Sequence, residues 1–202
     1  MQRRAFDTII SATGLILVAV LAVAGGLLTW GHNYIGNEVH AQLAAQKVYF
    51  PANNSPAIAA PQFKAMHQYA GQQLTTGAQA EVYADHFIAN HLLTAGKGLT
   101  YAQLSTEAQA QPNNTALAAT VETMFKGETL RGLLLNAYAF GTMGTIAGFA
   151  AIAAFIAAGL MLILSGLGLY HSRKVEPTVE IFGAGTPTVT NGAPASDKLL
   201  NV

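Results

Sequence analysis

The side chains that could carry out chemistry are few: six histidines, ten acidic and ten basic residues, and no cysteine. His86 and His91 lie on one predicted helix, beside Asp85 and one turn after Glu81. Residues five apart are rotated by about 140° around a helix, whereas two metal ligands on one helix are usually three or four apart. The spacing therefore does not predict a metal site on this helix.

A tertiary metal site remains an open alternative, formed by His40, His67, His86 and the acids near them. It would support a metal-dependent enzyme. The other signatures of catalysis are missing, because the chain has no Gly-x-Ser-x-Gly elbow, no phosphate-binding glycine loop and no dinucleotide fingerprint. We therefore predict no catalytic residue, no metal, no cofactor and a non-enzymatic protein.

The composition is that of a membrane protein. Hydrophobic residues make up 51% of the 202 residues and charged residues only 10%, against about 25% in ordinary soluble domains. The charges cancel, so no net field attracts nucleic acid. Residues 8–30 contain no charge, and as a helix they would reach about 34 Å, enough to cross a hydrocarbon core of about 30 Å. Trp30 and Tyr34 are predicted interfacial anchors.

The first apolar run has a rival interpretation as a cleaved signal peptide. Arg3 and Arg4 form a basic start, and Ala22-Val23-Ala24 has the small-x-small form of a cleavage site. The run continues beyond these residues to Trp30, which is longer than an ordinary signal core. We therefore favour an uncleaved anchor.

A second span is predicted over residues 138–170, with Tyr138 and Tyr170 as interfacial anchors. Arg173 and Lys174 follow it directly, as Arg3 and Arg4 precede the first span. The positive-inside rule then places residues 1–7 and 171–202 in the cytoplasm and 31–137 outside the plasma (inner) membrane. Residues 31–137 contain five basic and six acidic residues, and a segment of this length can be translocated with such charges.

The segment between the spans has helical patterning, so we predict an all-α membrane protein with an extracytoplasmic helical domain at 31–137. Ile35, Val39 and Leu43 extend the first span at intervals of four. Thr76 and Thr100 are predicted to open two further helices through capping boxes with Gln79 and Gln103. The apolar stripe expected on the first of these two helices is Val82, His86, Ala89 and Leu93. Asn114 or Thr115 would cap a final helix that runs toward the second span.

Arg131 is predicted to be an interfacial anchor just outside the second span. Glu128 lies three residues earlier and could pair with Arg131 on one helix face. The long aliphatic stem of Arg131 would let its charged group reach the interface.

Small residues in the spans predict close helix packing. Gly144 and Gly148 form a Gly-x-x-x-Gly motif that Ala151 extends, and the first span offers Gly14, Ala22 and Gly26. Small side chains let two helices approach closely in lipid. Two uses stay open, namely packing between the two spans of one chain and binding of a second subunit.

Three sequence runs, AGGLLTWGH, YAGQQLTTGAQAEVYADHFIANHL and GETLRGLLLNAYAFGTMG, resemble an uncharacterised actinobacterial family of two-span membrane proteins. The resemblance covers roughly residues 3–174 and implies the same layout of anchor, outer helical segment, second span and basic flank. Some members carry the label of an aromatic ring-opening dioxygenase. A ferrous site of that kind needs two histidines and a carboxylate in one pocket, and the histidine spacing here does not provide them.

The leading hypothesis is therefore a non-enzymatic accessory or scaffold subunit of a cell-envelope complex. It would contact the lipid bilayer, and would bind another membrane protein or itself through its outer domain and its small-residue spans. The alternative is a membrane-anchored sensor of a small ligand. The proline- and threonine-containing stretch from Val175 to Val202 is predicted to be a disordered cytoplasmic tail.

Overall fold

A computed structural model describes Arg3–Lys174, with side chains from residue 5 onward. Within this range the chain is all-helical and has no strand, which confirms the predicted all-α class. The α-helices are α1 (Arg3–Ala45), α2 (Gly77–Val82), α3 (Ala89–Ala95), α4 (Tyr101–Ala110) and α5 (Thr115–Lys174). Two 3₁₀ segments, Pro56–Ile58 and Pro61–Tyr69, follow α1, and a π-helix at Tyr83–Ile88 joins α2 to α3. The predicted tail lies outside the described residues.

The helices α1 and α5 are long and apolar enough to cross a membrane. Their most apolar stretches have mean hydropathies of 2.3 and 2.5, and only 17% and 11% of the residues in those stretches are buried. A core helix of a soluble domain would be mostly buried, whereas these stretches present their apolar side chains outward. Each helix also extends well beyond its apolar stretch, so α1 and α5 contribute to the domain between them.

The described residues divide into two compact units, residues 3–18 with 160–174 and residues 19–159. In the first unit, reciprocal contacts join α1 and α5. A Cβ placed on Gly14 would lie 2.1 Å from Ser165 Oγ, and one on Gly168 would lie 2.3 Å from Ser11 Oγ. Ser11 and Ser165 are both buried. Each serine therefore occupies the space that a glycine of the other helix leaves free.

The second unit has its own apolar core. Leu43 of α1 and Met124 of α5 are buried together with Phe50, Ile58, Met66, Leu74 and Leu104. Phe50 packs against both Tyr69 and Tyr83, with ring centroids 5.3 Å apart in each pair. The segment between the two long helices thus folds as a small helical domain on α1 and α5 rather than as an extended loop.

Local capping accounts for where these helices begin. The Thr76 hydroxyl accepts a hydrogen bond from Gln79 N, and the Gln79 side chain accepts hydrogen bonds from the amides of Thr75 and Thr76. Thr100 and Gln103 make the same capping box at the start of α4. Both predicted capping boxes are confirmed, and the Asn114 side chain caps α5 by accepting from Leu117 N at 3.0 Å.

The apolar stripe predicted from Val82 to Leu93 is wrong. The buried residues are instead Ala80, Ala84, Ile88 and Leu92, whereas the Leu93 side chain is 60% exposed. The prediction assumed an α-helical period throughout, but a π turn holds more residues than an α turn. The π-helix therefore keeps positions four apart on one face of the combined helix.

Candidate functional site

A cavity of about 510 Å³ lies between α1 and α5 in the second unit. One wall comes from α1 between Tyr34 and Gln46, and the other comes from α5 between Leu130 and Met143. Small-molecule sites usually have volumes of about 300–1,000 Å³ and mostly apolar walls with a few polar groups. In size and composition the cavity therefore matches a ligand-binding site.

The polar groups of the cavity are few. Glu38 carries the only charged side chain in the lining, and the amides of Gln42, Gln46 and Asn136 supply the other strong hydrogen-bonding groups. Gln42 Nε2 donates to Glu38 Oε1 at 2.5 Å, so part of this polar set is already joined. The remaining lining is aliphatic or aromatic apart from the Tyr34 hydroxyl.

Large apolar side chains at the cavity remain in contact with the surroundings. Leu133, Phe140 and Met143 are 62%, 58% and 58% exposed. Tyr34 is also exposed and stacks on Trp30, with ring centroids 5.5 Å apart and planes 18° apart. The exposed parts of the cavity walls are therefore in large part apolar.

A charge cluster fastens the π-helix to α5 next to this cavity. Arg131 Nη2 lies 2.9 Å from Asp85 Oδ1, and Arg131 Nη1 lies 3.6 Å from Glu128 Oε2. The hydrogen bond that Arg131 donates to Asp85 is the main cause that raises the pKa of Arg131, with smaller contributions from Glu128. The predicted pairing with Glu128 is present, but Asp85, a residue 46 positions earlier, is the closer partner.

The histidines occupy separate surroundings. A ring nitrogen of His67 is hydrogen bonded to Asn53 and the other to Ile58 O, while His91 Nδ1 bonds to Phe87 O. His86 lies beside a shallow pocket with Pro61–Gln68, and His40 borders a different pocket. Among residues 3–174, no three His, Asp or Glu side chains lie close enough to hold a metal ion. The structure does not bring the proposed ligands together.

The glycines of the predicted packing motif face α1 within the same chain. A Cβ on Gly144 would approach Ile35 Cγ2 to 3.1 Å, and one on Gly148 would approach His32 Nδ1 to 2.9 Å. His32 Nδ1 is also hydrogen bonded to Gly144 O at 2.7 Å. Ala151, one turn further along α5, is buried. These three small residues are therefore used for packing inside the second unit.

The first span uses a different set of small residues. Gly14 is buried in the first unit, whereas Ala22 and Gly26 are exposed. Gly25 faces the Phe155 ring, from which a Cβ on Gly25 would lie 3.0 Å away. From Asp7 to Leu28, the buried and partly buried positions of α1 alternate between four and three residues apart, which is the spacing of two helices packed side by side. A strict spacing of four drifts by about 40° at each step, so Ala22 and Gly26 rotate away from α5.

The remaining predicted anchors are found at the helix surface. Tyr138 is partly buried beside the close contact of Gly77 with Gly141. Tyr170 is 60% exposed, and Lys174 Nζ lies 4.5 Å from the centre of its ring. Arg173 is exposed. These placements suit an interfacial role, which itself stays a prediction.

The cavity was not predicted from the sequence. A signal was present, because Leu130, Leu133 and Ala137 add a second apolar line to the buried one that includes Leu134. A helix with two adjacent apolar lines has a face wider than one neighbouring helix can cover. The sequence cannot show whether another element covers the surplus.

Comparisons with protein-family models, with curated proteins and with solved structures find no match. The resemblance to an actinobacterial family therefore stays a prediction, and the site is interpreted from its geometry.

Proposed function

We propose that this chain is a two-span integral protein of the plasma (inner) membrane, with both termini in the cytoplasm and residues 31–137 outside. The length and hydropathy of α1 and α5 support two spans. Arg173 and Lys174 after the second span support the orientation.

Because the chain has no cysteine, single cysteines can test this orientation. A membrane-impermeant maleimide should label Asn113→Cys in intact cells and His171→Cys only after the cells are permeabilised, since both positions are exposed. The reverse labelling pattern would overturn the orientation.

The proposed role is that of a non-enzymatic accessory or scaffold subunit of an envelope complex. The observation that carries it is a set of exposed apolar side chains on the domain, although the domain has a complete core. Leu93, Leu99 and Phe125 are 60%, 38% and 55% exposed, and Phe125 is held against Tyr101. Exposed apolar side chains, and in particular an aromatic ring held by a second ring, are typical of protein-binding surfaces.

The two spans leave fewer small residues free to contact a partner helix than their sequences indicate. Gly14, Gly144 and Gly148 are occupied by side chains of the same chain. Ala22 and Gly26 remain exposed small residues at which a neighbouring helix could approach. Partner binding is therefore assigned mainly to the domain between the spans.

Crosslinking in native membranes, followed by purification in mild detergent, tests this role. A stoichiometric partner or a homo-oligomer should be recovered, and Phe125→Ser should reduce its yield. Lys126→Ser is the matched control, because it changes the neighbouring exposed residue without removing apolar surface. A monomer under crosslinking conditions would refute the proposal.

A second candidate function, the membrane-anchored sensor of a small ligand, is favoured by the cavity between α1 and α5. For the third hypothesis, a metal-dependent enzyme, metal analysis of the purified protein is the direct test.

A further inference from the structure

The cavity between α1 and α5 is both apolar and continuous with the surface that the spans present to lipid. On α5 the exposed side chains of Ile146, Met143 and Phe140 follow one another at intervals of three toward the cavity. On α1 the stacked pair of Trp30 and Tyr34 lies at the same boundary. A hydrocarbon chain could pass from the bilayer into the cavity along these residues without crossing water.

The polar groups indicate which head such a molecule carries. Glu38 places one carboxylate in the cavity, and no lysine, arginine or histidine is part of the lining. An anionic head would therefore meet a like charge with no compensating cation. The carboxylate and the amides of Gln42, Gln46 and Asn136 can instead accept and donate hydrogen bonds to hydroxyl groups.

The volume of the cavity indicates that it holds one acyl chain rather than a segment of another protein. A volume of about 510 Å³ is within the range of small-ligand sites. A chain that enters from the bilayer exchanges lipid contacts for contacts with the cavity walls, so the closeness of its fit decides the affinity. A single acyl chain can fill this volume without needing the broad contact area of a protein partner.

We propose that this cavity binds the acyl chain of a single-chain amphiphile with an uncharged, hydroxyl-bearing head, taken from the outer leaflet of the membrane. The proposal rests on the membrane placement proposed above and identifies the ligand of the sensor alternative. The acyl chain lies between Leu133 of α5 and Val39 of α1, and the head meets Glu38 and the neighbouring amides.

Photocrosslinking of the full-length protein in phosphatidylcholine nanodiscs tests the site. The probe is a palmitoyl monoacylglycerol with a diazirine in its chain, and the crosslinked residues are identified by peptide mass spectrometry. Saturable crosslinks are expected within Tyr34–Gln46 and Leu130–Met143, with competition by the unlabelled monoacylglycerol. The corresponding diazirine palmitate should bind about tenfold more weakly because its carboxylate faces Glu38.

Two variants narrow the cavity, and one serves as their control. Ala137→Phe and Leu133→Trp each fill space that the acyl chain would occupy, so steric exclusion should lower the crosslinking affinity about tenfold. Ile163→Trp adds a similar bulk at an exposed position of α5, twenty residues beyond the lining residue Met143, and should leave the affinity unchanged. Two different fillings keep the test valid if one variant fails to fold.

The results separate failure of the ligand proposal from failure of the membrane placement. A phosphatidylcholine probe with the same diazirine chain should label Ile156, which is 60% exposed on the second span. Labelling of Ile156 without saturable labelling of the cavity would overturn the ligand proposal alone. Loss of Ile156 labelling would overturn the membrane placement. Protection of the cavity by a co-purified protein would assign it to a protein partner instead and would also overturn the ligand proposal.

Discussion

Replacement of Gly77 by alanine should destabilise the domain because Gly77 touches the main chain of α5. A Cβ on Gly77 would lie 3.0 Å from Ala137 O, 3.2 Å from Tyr138 Cα and 3.3 Å from Gly141 Cα. These main-chain atoms cannot rotate away as the end of a side chain can, so α2 must move outward by a few tenths of an ångström. Overpacking of this kind costs about 1–3 kcal/mol.

This cost corresponds to a measurable change in melting temperature. For a domain of about 100 residues, 1 kcal/mol shifts Tm by about 4–8 °C, so Gly77→Ala should lower Tm by about 4–24 °C. Thermal unfolding in mild detergent, followed by the loss of helical circular dichroism, measures the shift. Gly141→Ala strains the same contact from the opposite side, because its Cβ would lie 3.2 Å from Gly77 Cα. It should lower Tm as well.

Gly132→Ala is the matched control on α5. A Cβ on Gly132 has no atom within 4 Å, and alanine in a helix is favoured over glycine by about 1 kcal/mol. This variant should be as stable as the original protein or more stable. If Gly77→Ala unfolds at the same temperature as Gly132→Ala, the close contact of α2 with α5 is refuted.

Three further experiments test other contacts. The pair Ser11→Cys with Gly168→Cys should form an intramolecular disulfide on mild oxidation, since the two Cβ atoms would be 3.5 Å apart and disulfides need about 3.5–4.5 Å. Protection of both thiols from a maleimide polymer measures it. A double-mutant cycle of Asp85→Asn and Arg131→Gln should give a coupling of about 0.5–1 kcal/mol in thermal unfolding, because both side chains are about a third exposed. Thr76→Ala should cost about 1 kcal/mol in the same assay through loss of the cap on α2.

Each of these has its own control. Ser11→Cys with Gly166→Cys should stay reduced, because a Cβ on Gly166 has no neighbour within 4 Å. Glu122→Gln removes an ion pair whose side chains are 71% and 65% exposed and should leave Tm unchanged. Thr76→Ser keeps the capping hydroxyl and should retain stability. Formation of a disulfide by Ser11→Cys with Gly166→Cys would contradict the contact of Ser11 with Gly168. A coupling energy near zero would contradict the pairing of Asp85 with Arg131. An equal loss of stability in Thr76→Ala and Thr76→Ser would contradict the cap on α2.

Helix starts and apolar runs were predictable because they depend on residues close together in the chain. The hydroxyl of Thr100 reaches an amide three residues away whatever the rest of the fold does. The length of an uncharged run likewise needs no tertiary contact to be recognised. The buried face of the helix after Thr76 was not predictable in the same way, since the π turn at Tyr83–Ile88 changes which residues lie in line.

The amino-acid sequence alone therefore determined the helical class, the two long apolar helices and the capped helix starts. Tertiary structure decided which small residues pack against another helix. Gly144 and Gly148 pack against Ile35 and His32, whereas a Cβ on Gly26 would have no atom within 4 Å. It also decided that Arg131 pairs with Asp85 and that α1 and α5 leave a cavity between them. Local sequence patterns indicate which residues are able to pack closely. Which residues they pack against, and the size of the cavity between the helices, depend on how two helices far apart in sequence are rotated against each other.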